Sequence, residues 1–128
     1  MDPAFLELGE ILLIHRDQLE RYGGSAGVRD VAILQSATAM PRAGIADRYL
    51  HENIFEMAAA YLYYIVRDHP FVDGNKRTGA VAALVFLAMN DIDILVDEDG
   101  LETMVRSVAE GTTTKADVAT FLRGGLRR

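Results

Sequence analysis

The sequence predicts a single all-α domain of about six helices, in which two central antiparallel core helices are joined by one polar loop. Three observations carry this expectation. Apolar residues recur three or four positions apart from Phe5 onward, residues 52–68 and 76–89 are apolar on nearly every face, and helix-start signatures precede the last two helical stretches. No repeat, linker or low-complexity tract divides the chain, so residues 1–128 read as one domain.

The first helix starts near Phe5 and shows one face through Leu8, Leu12, His15, Leu19 and Tyr22 before the run YGGS stops it. A shorter helix follows over residues 28–39, ended by Pro41. The stretch MPRAGIADRYL then reads as irregular and exposed. Over residues 52–68 the polar positions narrow to a line through Glu52, Glu56, Tyr63 and Arg67, the pattern of a mostly buried helix. Residues 76–89 are richer still in apolar side chains, and their alanines favour close helix packing. DIDILV alternates and suggests a short extended piece. Asp99 with Glu102 marks a helix start before residues 101–110, and Thr114 with Asp117 marks another before residues 115–123.

The loop between the two apolar helices reads HPFVDGNKRTG, more chemistry than a turn requires. Asp73-Gly74-Asn75 is a turn sequence, and Asn75 suits the cap of the next helix. A helix N-terminus presents unpaired N–H groups and the positive end of a dipole, which together favour anions. Lys76 and Arg77 on that first turn oppose the dipole at a cost of about 0.3–1 kcal/mol per exposed charge, a cost that a bound polyphosphate removes. Asp73 beside such phosphates suits Mg²⁺, and His69 at the far end of the loop suits a general base acting on a hydroxyl. These parts suffice for phosphoryl or nucleotidyl transfer, while the plainer reading is a solvated helix-to-helix connection.

Composition narrows the partners. Thirteen basic against nineteen acidic side chains give a net charge of −6, which argues against direct binding to nucleic acid. With no cysteine, disulfides, thiolate catalysis and Cys-ligated metals are excluded. The N-terminus starts acidic without a basic segment, and the longest apolar run, residues 80–89, is about half of a bilayer crossing. A cytoplasmic protein with no membrane partner is the expectation.

At His69, Pro70, Phe71, Asp73, Gly74, Asn75 and Arg77 the loop resembles the signature H-P-F-x-[D/E]-G-N-x-R of the Fic superfamily. IHRDQLERYGG and LQSATAMPR extend the resemblance to the small Doc ("death on curing") toxin branch over nearly the whole chain. The resemblance implies an all-α Fic fold in a bacterial or archaeal cytoplasm. It implies His69 as the base, Asp73 as the Mg²⁺ ligand, and Gly74, Asn75 and Arg77 as contacts to the phosphates of ATP. It also places a flap for the target segment at residues 40–47.

Two departures bear on the reaction. AMP-transferring Fic enzymes carry a glycine and a second arginine where this chain has Lys76 and Ala80. Doc-type toxins share the N-K-R form and pass the γ-phosphate of ATP to a threonine of elongation factor Tu, so kinase-type transfer is expected here. AMP transfer and a catalytically idle interaction module are the alternatives. SVAEG, at residues 107–111, falls one residue short of the family's self-inhibitory motif, so inhibition in trans by an antitoxin is the expectation.

Other polar residues carry plainer readings. His15 lies on an apolar stripe and reads as a satisfied core histidine; His51 lacks the second histidine of a zinc pair. DEDG reads as a helix start rather than a calcium loop, Met57, Met89 and Met104 as core, and Arg123, Arg127 and Arg128 as a solvated basic end.

Overall fold

A computed structural model describes residues 2–127. Six helices run in chain order: α1 (Leu8–Tyr22), α2 (Val31–Ala39), α3 (Ile54–Asp68), α4 (Asn75–Met89), α5 (Glu98–Glu110) and α6 (Lys115–Gly124). Between α2 and α3 lie a 3-10 turn, Met40–Arg42, and a small antiparallel hairpin, β1 (Gly44–Ile45) and β2 (Arg48–Tyr49). The fold is the all-α architecture that the sequence predicts.

The core forms where the sequence is most apolar. Ala58, Ala59, Tyr61, Leu62, Ile65 and Val66 of α3 are fully buried, and α3 packs most extensively on α4 and next on α6. The small residues of α4 permit that approach. A Cβ added at Gly79 would sit 2.7 Å from Val66 Cγ2, so the start of α4 lies against the last turns of α3. That proximity makes the pair antiparallel.

Several elements differ from the sequence-based expectations. In α1 the buried stripe is Ile11, His15 and Gln18, while Leu12 and Tyr22 are exposed. The run ILLI offers two helix-spaced faces one residue apart, and one residue turns the face by about 100°. Helix α2 begins at Val31, because Asp30 accepts the Ile33 N–H at 3.0 Å and Val28 pairs instead with Phe71. Helix α5 begins at Glu98, capped by Asp97 through the Gly100 N–H at 3.1 Å, not by Asp99. Two aspartates two residues apart give two competing registers, and only Asp97 aligns its oxygen with a free N–H.

The extended piece reduces to one bridge, Ile94 with Leu126. Met57 is buried and Met104 half-buried, but Met89, at the end of α4, is exposed. Arg123 stacks over the Phe55 ring at 4.8 Å and Arg127 approaches Asp93 at 3.7 Å; Arg128 lies outside the described residues. Thr114 and Asp117 form the expected capping box of α6. Among the described residues no helix is long and apolar enough to cross a membrane.

Candidate active site

Helix α3 stops at His69, whose φ of 52° and ψ of 57° put it in the left-handed region. Glycine takes that place at the end of many helices; a histidine there carries a strain of about 1–2 kcal/mol. The surroundings hold it. Pro70 is buried, and its carbonyl accepts the N–H groups of Arg29 at 2.8 Å and Asp30 at 3.1 Å. The Phe71 ring is buried and stacks on His15, with centroids 3.7 Å apart and planes within 6°. His15 Nε2 donates to the Asp73 carbonyl at 2.8 Å, so this histidine is a satisfied core group that shapes the loop, as its place on the stripe predicts.

Asn75 does not cap α4. Gly74, with φ of 79°, occupies the cap position, no side chain caps the helix, and Asn75 is the first helical residue. Its side chain turns back into the loop: Oδ1 accepts the Phe71 N–H at 2.9 Å and Nδ2 donates to the Phe71 carbonyl at 2.9 Å. That pairing fixes the amide orientation. The remaining N–H therefore points at His69 Nδ1, 3.1 Å away, and the neutral imidazole keeps its hydrogen on Nε2. The place of Asn75 after a turn suggests a cap; a buried amide that pairs with the backbone inside its own loop leaves no sequence signal.

The Asp73 carboxylate is exposed and accepts the Ser25 N–H at 3.1 Å and the Gly74 N–H at 2.9 Å. These two hydrogen bonds, with Ser25 the larger cause, and the Arg77 charge hold its carboxyl below the usual carboxylate range. Gly24 makes room for it, since a Cβ there would stand 2.9 Å from Asp73 Oδ2. Each oxygen keeps a lone pair, so an ionised Asp73 fits Mg²⁺, which takes one or two carboxylates and completes its shell with phosphate and water. No group of three or more His, Cys, Asp or Glu stands together among the described residues.

His69, Asp73, Gly74, Asn75, Lys76 and Arg77 line one cleft of about 690 Å³ between α1, the loop and α5. All the residues that the sequence nominated are thus brought together. The Arg77 guanidinium lies over the Tyr22 ring at 4.6 Å, a cation–π contact that leaves its N–H groups for another partner. Ala80, one of the two departures noted in the sequence, lines the cleft, and α5 adds Glu98, Glu102 and Arg106, the last two paired at 2.7 Å. Sequence reading missed Tyr22 as a site residue because it was assigned to the core face of α1. It also missed Ser25 and Arg29, whose hydrogen bonds span 48 and 40 residues.

His51 joins no site. It is buried beside the 3-10 turn, and burial first, then the Lys115 charge, lowers its pKa. Glu110, in the SVAEG stretch, is exposed and followed by Gly111 with φ of 77°, an ordinary helix end.

The model of the Fic/DOC family matches residues 5–87. The chain is 34% identical over 105 residues to Toxin Doc of Mycolicibacterium smegmatis, covering 80% of this chain and 81% of that protein. It is 32% identical over 114 residues to protein kinase doc of Escherichia phage P1, covering 89% of each.

Proposed function

This chain belongs to the Fic/DOC family, and from that premise we propose that it is a Doc-type toxin acting as a protein kinase. Its reaction moves the γ-phosphoryl group of ATP to a threonine or serine hydroxyl of a translation elongation factor, which blocks translation in the cytoplasm. The observation that carries the proposal is the start of α4: no side chain caps it, Lys76 and Arg77 stand on its first turn, and His69 lines the same cleft.

The chemistry follows from those parts. Phosphate oxygens take the free N–H groups of α4 and the guanidinium of Arg77, while the Lys76 ammonium adds charge where AMP-transferring relatives have glycine. Asp73, with phosphate oxygens of the nucleotide, would hold Mg²⁺, which would supply charge neutralisation on the phosphates. The acceptor oxygen attacks the γ-phosphorus, the bond to the β,γ-bridging oxygen breaks, ADP leaves, and His69 takes the hydroxyl proton. Asn75 covers the imidazole lone pair at 3.1 Å. A phosphate oxygen that draws off this N–H frees the base, which couples nucleotide binding to base activation.

Control falls to a partner. Arg77 rests on an aromatic ring rather than on a carboxylate, and Glu110 merely ends a helix, so an antitoxin binding in trans is the brake. The flap expected over residues 40–47 takes in the 3-10 turn and the first strand of the hairpin, and the 87% exposed Ile45 on it supports this as the place that lays out the target segment. Incubation with ATP labelled at the α- or γ-position tests the reaction. Kinase action leaves the γ-label on the elongation factor; retention of the α-label alone establishes AMP transfer instead.

A further inference from the structure

Arg29 lies in the connection between α1 and α2, yet its side chain closes the C-terminal end of α3. Nε donates to the His69 carbonyl at 2.5 Å, and a terminal nitrogen donates to the Asp68 carbonyl at 2.8 Å. The neighbouring backbone reinforces the contact. The Arg29 and Asp30 N–H groups bind the Pro70 carbonyl, and the Val72 N–H binds the Gly27 carbonyl at 3.0 Å. We infer that Arg29 is a positioning residue for His69, fixing the left-handed turn that presents the imidazole to the cleft. This rests on the reading of His69 as the base.

The comparison with α5 shows why a side chain is needed. The last carbonyls of a helix have no partner within it. At the end of α5, Gly111 adopts the left-handed turn and its own N–H returns to the Ser107 and Val108 carbonyls. At the end of α3, a histidine takes the same conformation and the helix has no such backbone closure. The guanidinium of Arg29 supplies the missing donors. Its rigid fork reaches two successive carbonyls at once, and its charge suits the negative end of the α3 dipole. Without it, His69 is free to relax toward ordinary backbone angles, and the imidazole moves off Asn75 and out of register with an incoming hydroxyl.

The test uses the full chain and the variants Arg29→Ala, Arg29→Gln and Arg29→Lys. One readout is transfer from γ-labelled ATP to elongation factor Tu. The other is the ¹⁵N signals of the His69 imidazole, which report its tautomer. Arg29→Ala is expected to lower kcat by about tenfold to a hundredfold with KM for ATP within about twofold, the signature of a misplaced group rather than lost binding. Arg29→Lys should recover part of that loss, and the imidazole signals in Arg29→Ala should move away from the tautomer with hydrogen on Nε2. Wild-type kcat with unchanged imidazole signals overturns the inference, as does a rise in KM that accounts for the whole loss. If the wild type transfers no phosphate, the kinase reading fails, and the ¹⁵N signals alone decide the role of Arg29. Should Arg29→Ala not fold, Arg29→Gln decides the same question.

Discussion

At the start of α6, Thr114 accepts the Asp117 N–H at 3.1 Å and Asp117 takes back the Thr114 N–H at 3.3 Å. At the start of α4, Gly74 stands in a left-handed turn, no side chain caps the helix, and the first turn holds two cations instead of an acid. The two starts obey the same electrostatics with opposite results. Helix α6 satisfies its N–H groups from its own chain and sets a carboxylate at the positive end of its dipole. Helix α4 leaves its donors open and adds positive charge to positive charge. A start built like α6 serves the fold; a start built like α4 leaves donors that, in the function proposed above, the phosphates of ATP take.

The two helix starts should respond differently to substitution. His69→Ala should lower phosphoryl transfer by about 10²–10⁴-fold, measured as kcat, while the thermal midpoint barely moves because the side chain is exposed. Thr114→Ala should do the reverse, costing about 1 kcal/mol in denaturant unfolding with kcat unchanged. Lys76→Glu separates the two purposes within one helix. An acid on the first turn should raise stability by about 0.3–1 kcal/mol, whereas calorimetry should show ATP binding weakened.

The smallest effect concerns pH. Burial lowers the His51 pKa below its ordinary 6.5, so the unfolded chain takes up that proton first. Stability should therefore fall as pH drops through 6.5 toward the folded value, and a His51→Gln variant should flatten that slope between about pH 7.5 and 5.5 in thermal unfolding. Asp73 has the same sign in a lower window: its carboxyl is held low, so its contribution is present at neutral pH and is lost only as pH falls below about 3.8.

What was legible in the sequence follows the range of the interactions. Thr114 and Asp117 announced α6 because a capping box is written within four residues. The core of α3 and α4 was legible because nearly every position there is apolar. The α5 start was misplaced because Asp97 and Asp99 offer the same chemistry in two registers, and the α1 face because ILLI fits two stripes. The candidate site was readable for a similar reason: His69 to Arg77 are contiguous. Its mounting was not. His15, Ser25 and Arg29 reach the loop across 58, 48 and 40 residues through backbone carbonyls and N–H groups, which carry no side-chain identity to match.

In the proposed function the open start of α4 and the imidazole beside it act as one phosphoryl-transfer site. Intact-mass and peptide mass spectrometry of elongation factor Tu, from cells expressing the wild type or His69→Ala, tests it most directly. A single added phosphate on a threonine or serine is expected with the wild type and none with the variant. An added AMP, or the same modification with both proteins, would contradict it.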